Sequence, residues 1–222
     1  MQPDRSMRPF LVVYASRHGN ARRVAERVAD RIRTLRREAQ LQDARTEALP
    51  PLERYSAAIL VSGVHLGHHG REMVRFVRSR RDELERLPVL LLPVTLTGAA
   101  ASDPRRTDLE RAEAEQELRS SAESFALETG WRPRRCFPVA GGLHERARGP
   151  LTSFLVRRLA PCGSLPEELT REIVFTDWTA LNREVDALVR QAIERSSGAE
   201  TPVAPSGRSP LRTAVEPAPR AP

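Results

Sequence analysis

The segment Tyr14-Ala15-Ser16-Arg17-His18-Gly19-Asn20-Ala21 joins an apolar run to a charged, periodic one. Ser16 offers a hydroxyl donor, Gly19 lets a backbone come close to a ligand, Asn20 can donate or cap, and Arg17 brings positive charge. Placed at the carboxyl end of a strand and the start of a helix, such residues suit an anion, because the first amides of the helix and its dipole converge there. An ordinary strand-to-helix turn capped by Asn20 would use the same residue types. The spacing matches neither a dinucleotide fingerprint nor the Gly-Lys-Ser/Thr ending of an NTP-binding loop.

Two further segments carry glycine beside polar residues. One is Ser62-Gly63-Val64-His65-Leu66-Gly67-His68-His69-Gly70, and the other is Thr95-Leu96-Thr97-Gly98-Ala99. Their backbones can approach a planar group and hydrogen-bond its edge. Three imidazoles, at 65, 68 and 69, with Glu72 near in sequence, raise a metal reading. Adjacent loop histidines need not converge, no Cys or Asp completes the set, and no metal is assigned. His65 and His68 are the only proton-handling candidates in these loops, and no residue is assigned as catalytic.

These segments need strands and helices to bring them together. Five short apolar runs recur, at 10–15, 41–46, 57–62, 89–95 and 136–140. Their near-continuous apolar character predicts strands buried on both faces, as in a parallel sheet. Between them, helices are predicted over 20–37, with Val24, Val28, Ile32 and Leu35 on one face, over 71–84, and over 107–129 between a Thr107 cap and a Gly130 stop. The alternation gives a doubly wound α/β domain. Beyond Gly141 the pattern loosens: an amphipathic helix at 150–159, an extended piece at 172–175, and a final helix at 177–195 capped by Thr176 or Asp177. Cys136 falls in a predicted buried strand, where an inert thiol is expected.

The chain has 222 residues, 40% hydrophobic and 29% charged, with a net charge of +7 and arginine as every basic residue apart from histidine. Residues 1–7 read as a disordered leader, 8–195 as the folded domain, and 196–222, with six prolines, as a disordered tail. No apolar stretch reaches membrane-spanning length. Two cysteines without paired spacing suit a reducing cytoplasm. The positive balance favours anionic partners; nucleic acid is the weaker choice, since few aromatics accompany the arginines.

The turn at 14–21 resembles the FMN-phosphate loop of flavodoxins, Ser/Thr-x-Thr-Gly-Asn-Thr, with His18 and Ala21 where that loop carries threonines. The likeness extends through Gly67-His68, Phe76-Val77, Leu87-Pro88, Trp131-Arg132-Pro133, Ala140-Gly141 and Thr176-Asp177-Trp178. In this order they resemble the menaquinone-dependent protoporphyrinogen IX dehydrogenases. That resemblance implies a flavodoxin-like α/β fold: a five-stranded parallel sheet in the order 2-1-3-4-5, helices on both faces, and an inserted segment. It also implies FMN as cofactor, held by Ser16, Arg17, His18, Gly19, Asn20 and Ala21, by Gly63, Val64, His65, Leu66, Gly67 and His68, and by Thr95, Leu96, Thr97 and Gly98. His65 and Leu66 stand in for the aromatics that flavodoxins stack on the ring. The implied activity is oxidation of protoporphyrinogen IX, in heme biosynthesis, with a quinone as acceptor. A cytoplasmic site with a peripheral contact at the inner face of the membrane would suit a lipid-soluble quinone. Arg146, Arg148, Arg157 and Arg158 are candidates for propionates or lipid headgroups. Two alternatives stand beside the enzyme: a flavodoxin-type electron carrier, and a flavodoxin-fold interaction module without FMN.

Overall fold

The computed structural model describes residues 8–46, 50–95, 107–140, 142–144, 172–174 and 177–198. Strands β1 (Phe10–Ala15), β2 (Ala39–Asp43), β3 (Ala57–His65) and β5 (Val89–Thr95) are parallel. The edge consists of two short pieces, β6 (Arg135–Cys136) and β7 (Val139–Ala140), both parallel to β5. Counted as one strand interrupted at Phe137-Pro138, they complete the order 2-1-3-4-5, as the path β2-β1-β3-β5-β6. Proline has no N–H to give to a ladder, so the break falls where sequence puts Pro138. Cys136 is exposed on this broken edge, not buried as its apolar neighbours predicted.

Alternation along the strands divides the core in two. Phe10, Val12, Ile59, Val61, Leu90 and Leu92 face helix α1 (Asn20–Thr34) and the last helix, α5 (Trp178–Gly198). Leu11, Val13, Ala58, Leu60 and Leu91 face α2 (Arg71–Ser79), α3 (Arg81–Arg86) and α4 (Asp108–Thr129). Helix α1 buries Val24, Ala25, Val28, Ala29 and Ile32, the three-and-four spacing read from sequence. Helix α4 starts in a capping box, with Glu110 N–H donating to Thr107 Oγ1 and Thr107 N–H to the Glu110 carboxylate, and stops at Gly130, φ 66°.

Boundaries moved where tertiary pairing decided them. The helix expected over 71–84 is two helices meeting at Arg80, whose φ of −122° leaves the helical range. β2 begins at Ala39, because it pairs with Phe10 onward. β3 runs on to His65 and turns back into β4 (His68–His69), antiparallel to it. β8 (Gly142–His144) and β9 (Glu172–Val174) form a separate antiparallel pair. The helix expected over 150–159 and Arg146, Arg148, Arg157 and Arg158 lie outside the described residues.

Both family-like tryptophan motifs act in packing. Trp131 is 3% exposed in the second core. Its backbone N–H donates to the buried Thr129 hydroxyl, which in turn donates to the Phe125 carbonyl. Asp177 Oδ1 accepts from the amides of Thr179 and Ala180, capping α5. Trp178 packs on the first core with the Arg27 guanidinium 5.1 Å from its ring centroid. Arg31 grips Asp186 with two hydrogen bonds, and Arg135 bonds Glu184, tying the last helix to α1 and the sheet edge.

Candidate functional site

In an open α/β sheet, ligands bind beyond the carboxyl ends of the strands, where the order reverses. Here that place lies between β1 and β3, and the first two glycine-bearing segments meet there. The β1–α1 turn leaves Gly19 at φ 87°, with no atom within 4 Å of where a side chain would begin. A left-handed φ costs an L-residue roughly 1–2 kcal/mol, which glycine escapes. Gly19, not Asn20, is the N-cap of α1; Asn20 is the first helical residue, and no side chain caps the helix. The helix start is therefore presented to whatever lies above it.

Ser16 adds a second feature. Its hydroxyl oxygen is buried and has no hydrogen-bond partner. Leaving a buried hydroxyl unsatisfied costs about 1–3 kcal/mol. A ligand oxygen at the helix start would satisfy it. Arg17 and His18 are exposed beside it. Arg45, at the end of β2, reaches the Ser16 carbonyl at 3.5 Å and Glu72 at 3.6 Å, linking the turn to the first turn of α2. Ala21 is 2% exposed and points into the first core. It sits against Gly63, whose added Cβ would lie 4.0 Å from that of Ala21 and 3.4 Å from the Ala15 carbonyl.

The second segment is a tight hairpin. His65 pairs with His68 and Val64 with His69, leaving a two-residue turn of Leu66 (φ 51°) and Gly67 (φ 76°). Positive φ at both positions is the mirror-type turn that suits twisted hairpins, but leucine is an unusual occupant. Leu66 is 80% exposed at the tip. Gly70 N–H closes the hairpin by donating to the Gly63 carbonyl at 3.1 Å, and the hairpin packs on the end of β1 through small residues: an added Cβ on Gly70 would meet that of Ala15 at 3.3 Å. The His18 and His65 rings meet edge to face, centroids 5.1 Å apart. Loss of solvation, then the nearby His18 and Arg17, hold His65 below the usual imidazole range.

The three hairpin histidines part company. Strand alternation sends neighbours to opposite faces. His68 is exposed, 3.5 Å from Glu128, whereas His69 is 6% exposed and stacked on Phe125 at 4.2 Å. Neither ring nitrogen of His69 has a partner, and burial pushes it down to about 4. Among the described residues no group of three or more His, Cys, Asp and Glu is placed to hold a metal.

Thr95 ends β5, 9% exposed; Leu96, Thr97 and Gly98 lie outside the described residues. Among the described residues, two of the hollows beside the sheet stand out by size. The larger, about 670 Å³, lies between the end of α2, α3 and the end of α4, at the amino ends of the strands, and is lined by charges such as Arg80 and Glu83 that pair with each other. The smaller, about 250 Å³, lies under α4 beside the hairpin and includes Val64, Gly67 and Thr95. Sequence reading missed the buried hydroxyls of Ser62 and Ser121, both without partners, and the link made by Arg45. A lone serine in an apolar stretch was the only signal for Ser62, and Ser121, in the polar run Arg119-Ser120-Ser121-Ala122-Glu123, had none. Nothing local marked Arg45.

A family model described as a flavodoxin domain matches residues 11–160. The protoporphyrinogen IX dehydrogenase (quinone) of Escherichia coli strain K12 is 23% identical over 168 residues, covering 76% of this chain and 87% of that protein. The protein of the same name from Leishmania major is 22% identical over 177 residues, covering 78% and 71%. Among solved structures, oxidised Flavodoxin 2 from Bacillus cereus aligns with 60% of this chain and 84% of its own, at 20% identity and a TM-score of 0.38. Among the described residues no helix is long and apolar enough to cross a membrane.

Proposed function

The chain belongs to the flavodoxin domain family, whose cofactor is FMN, and on that premise we propose that it is an FMN-dependent oxidoreductase that oxidises protoporphyrinogen IX and passes the electrons to a quinone. The observation that carries the cofactor is the buried, unpartnered Ser16 hydroxyl beside the uncapped start of α1. A phosphate placed there would take the hydroxyl's hydrogen bond and face the positive end of the helix. Arg17, exposed at the turn, adds charge to that field. His18 and Ala21 bring no hydroxyl, so the backbone from 17 to 21 carries more of the grip than in the flavodoxin loop.

When bound, FMN would supply two-electron chemistry: the donor gives up two electrons and two protons, and the quinone takes up the same to become a hydroquinone. The protein's part is to hold and orient. The Gly63–His68 hairpin and the β5–α4 loop would bracket the ring. Leu66 offers an apolar side chain to it from a tip fixed by the turn. His65, neutral at pH 7, has one ring N–H and one free lone pair, so it can both donate and accept a hydrogen bond at the ring edge. Arg45, between the Ser16 carbonyl and Glu72, keeps the phosphate turn in register with α2.

The substrate pair rests on the two relatives, which carry that activity in their names and align over most of their length. The test is reconstitution with FMN, followed by protoporphyrinogen oxidation with a menaquinone analogue as acceptor. Flavin absorbance with substrate-dependent quinone reduction supports the enzyme. Flavin bound without turnover rejects this substrate pair, and a protein that cannot be loaded rejects the cofactor.

A further inference from the structure

We propose that the hollow under α4, beside the hairpin, seats the electron acceptor as a one- or two-ring apolar molecule bearing a carbonyl oxygen, of the quinone class. This rests on the flavin reading of the adjoining loops, since Val64, Gly67 and Thr95 belong both to those loops and to the wall of the hollow.

The lining sets the chemistry. Val64, Pro93, Leu118, Ala122 and Pro138 make its walls mostly apolar, with Glu117 and Arg119 of α4 also bordering it. Ser121, also in the wall, is 5% exposed, and its hydroxyl has no hydrogen-bond partner. On the neighbouring strand Ser62 stands in register with Pro93, on the same face of the sheet, and its hydroxyl too is buried without a partner. Mostly apolar walls with one unsatisfied hydroxyl donor, that of Ser121, call for a ligand that is mostly hydrocarbon and carries an acceptor oxygen. A quinone carbonyl meets that description; a sugar-like molecule, polar all round, does not.

Size separates the acceptor from the donor. At about 250 Å³ the hollow lies just below the ~300 Å³ at which sites for drug-sized molecules begin. One or two fused rings fit, and a tetrapyrrole does not. Cys136 is exposed and also lines the hollow, and crowding by protein atoms raises its thiol to about 11. A raised thiol keeps the thiolate, the form that attacks electrophiles, scarce at pH 7. An electrophilic quinone can sit beside this sulfur without being captured by it.

Duroquinone, whose four non-carbonyl ring carbons are all methylated, is the probe. In the FMN-loaded protein, Ser121→Ala should raise its KM about threefold to tenfold, and Ser121→Leu, which fills the hollow, at least tenfold. FMN content and the rate of flavin bleaching by donor without acceptor should stay unchanged. With the other cysteine of the sequence removed by Cys162→Ser, duroquinone should slow alkylation of Cys136 at pH 9, and Ser121→Leu should abolish that protection. Unchanged KM in both variants, or no protection of Cys136, overturns the proposal. Loss of FMN from Ser121→Leu also overturns it, because the flavin would then occupy the hollow. A wild-type protein without flavin, or without donor oxidation, defeats the function proposed above and leaves the Cys136 protection to judge the hollow.

Discussion

His69 should make the domain sensitive to mild acid. It is buried against Phe125, with no partner for either ring nitrogen, and its pKa falls from 6.5 to about 4. Between these values the unfolded chain binds a proton that the folded chain refuses, so stability rises with pH across this window. At pH 7.5 neither state is appreciably protonated and the penalty vanishes. At pH 5 the unfolded imidazole is almost fully charged while the folded one is still mostly neutral, which costs about 2 kcal/mol. Urea unfolding at the two pH values, with flavin content matched, should show that loss in the wild type. His69→Phe keeps the stacking on Phe125 and removes the titration, so its pH 5 to 7.5 difference should be smaller by about the same 2 kcal/mol. Carboxylates elsewhere titrate alike in both proteins and cancel in the comparison. Parallel pH curves for wild type and variant would refute the reasoning.

Ser16→Ala should weaken FMN binding about tenfold to a hundredfold in a flavin fluorescence titration, the loss of one hydrogen bond to a charged group, while flavin-free stability holds or rises slightly. Leu66→Asn should raise the melting temperature by about 2–4 °C, because asparagine tolerates the left-handed backbone that leucine occupies at 51°. Asp177→Ala should cost about 1 kcal/mol by chemical denaturation through loss of the α5 cap, with FMN content unchanged, since the Thr-Asp-Trp motif serves packing.

Local periodicity carried most of the architecture into the sequence. The α1 stripe, the apolar run of β5 and the Thr107-x-x-Glu110 box with its Gly130 stop are all short-range patterns, and each element formed where its pattern stands. What escaped depends on partners distant in the chain. Two histidines became a strand because His68 and His69 pair with β3, and nothing in their side chains announces it. The Leu66-Gly67 turn lacks the Asn-Gly signature of its type, so it read as an open loop. Asn20 looked like the cap, yet Gly19 took the position because only glycine enters the left-handed region there without strain. Cys136 inherited burial from its apolar neighbours and lost it to a broken sheet edge. Of the candidate site, the β1–α1 turn and the glycine-bearing segment after β3 were legible as types and spacing. Their docking through Ala15, Gly63 and Gly70, and the histidine contact above it, exist only in three dimensions.

The bond between the first helix and the last has a consequence in time. Helix α1 and helix α5 cover one face of the sheet together, joined by Arg31 to Asp186 and by Arg27 over Trp178. A ribosome making this chain delivers the turn that begins α1 before most of the sheet, but the helix that locks α1 down leaves only after the other described elements have been made. Until then Leu181, Val185 and Leu188 cannot cover their share of the sheet, and a nascent intermediate presents that bare apolar face to its surroundings. Cofactor loading should therefore be a late, post-synthetic event, and a chain stalled before residue 178 should be a client for chaperones instead of a yellow protein.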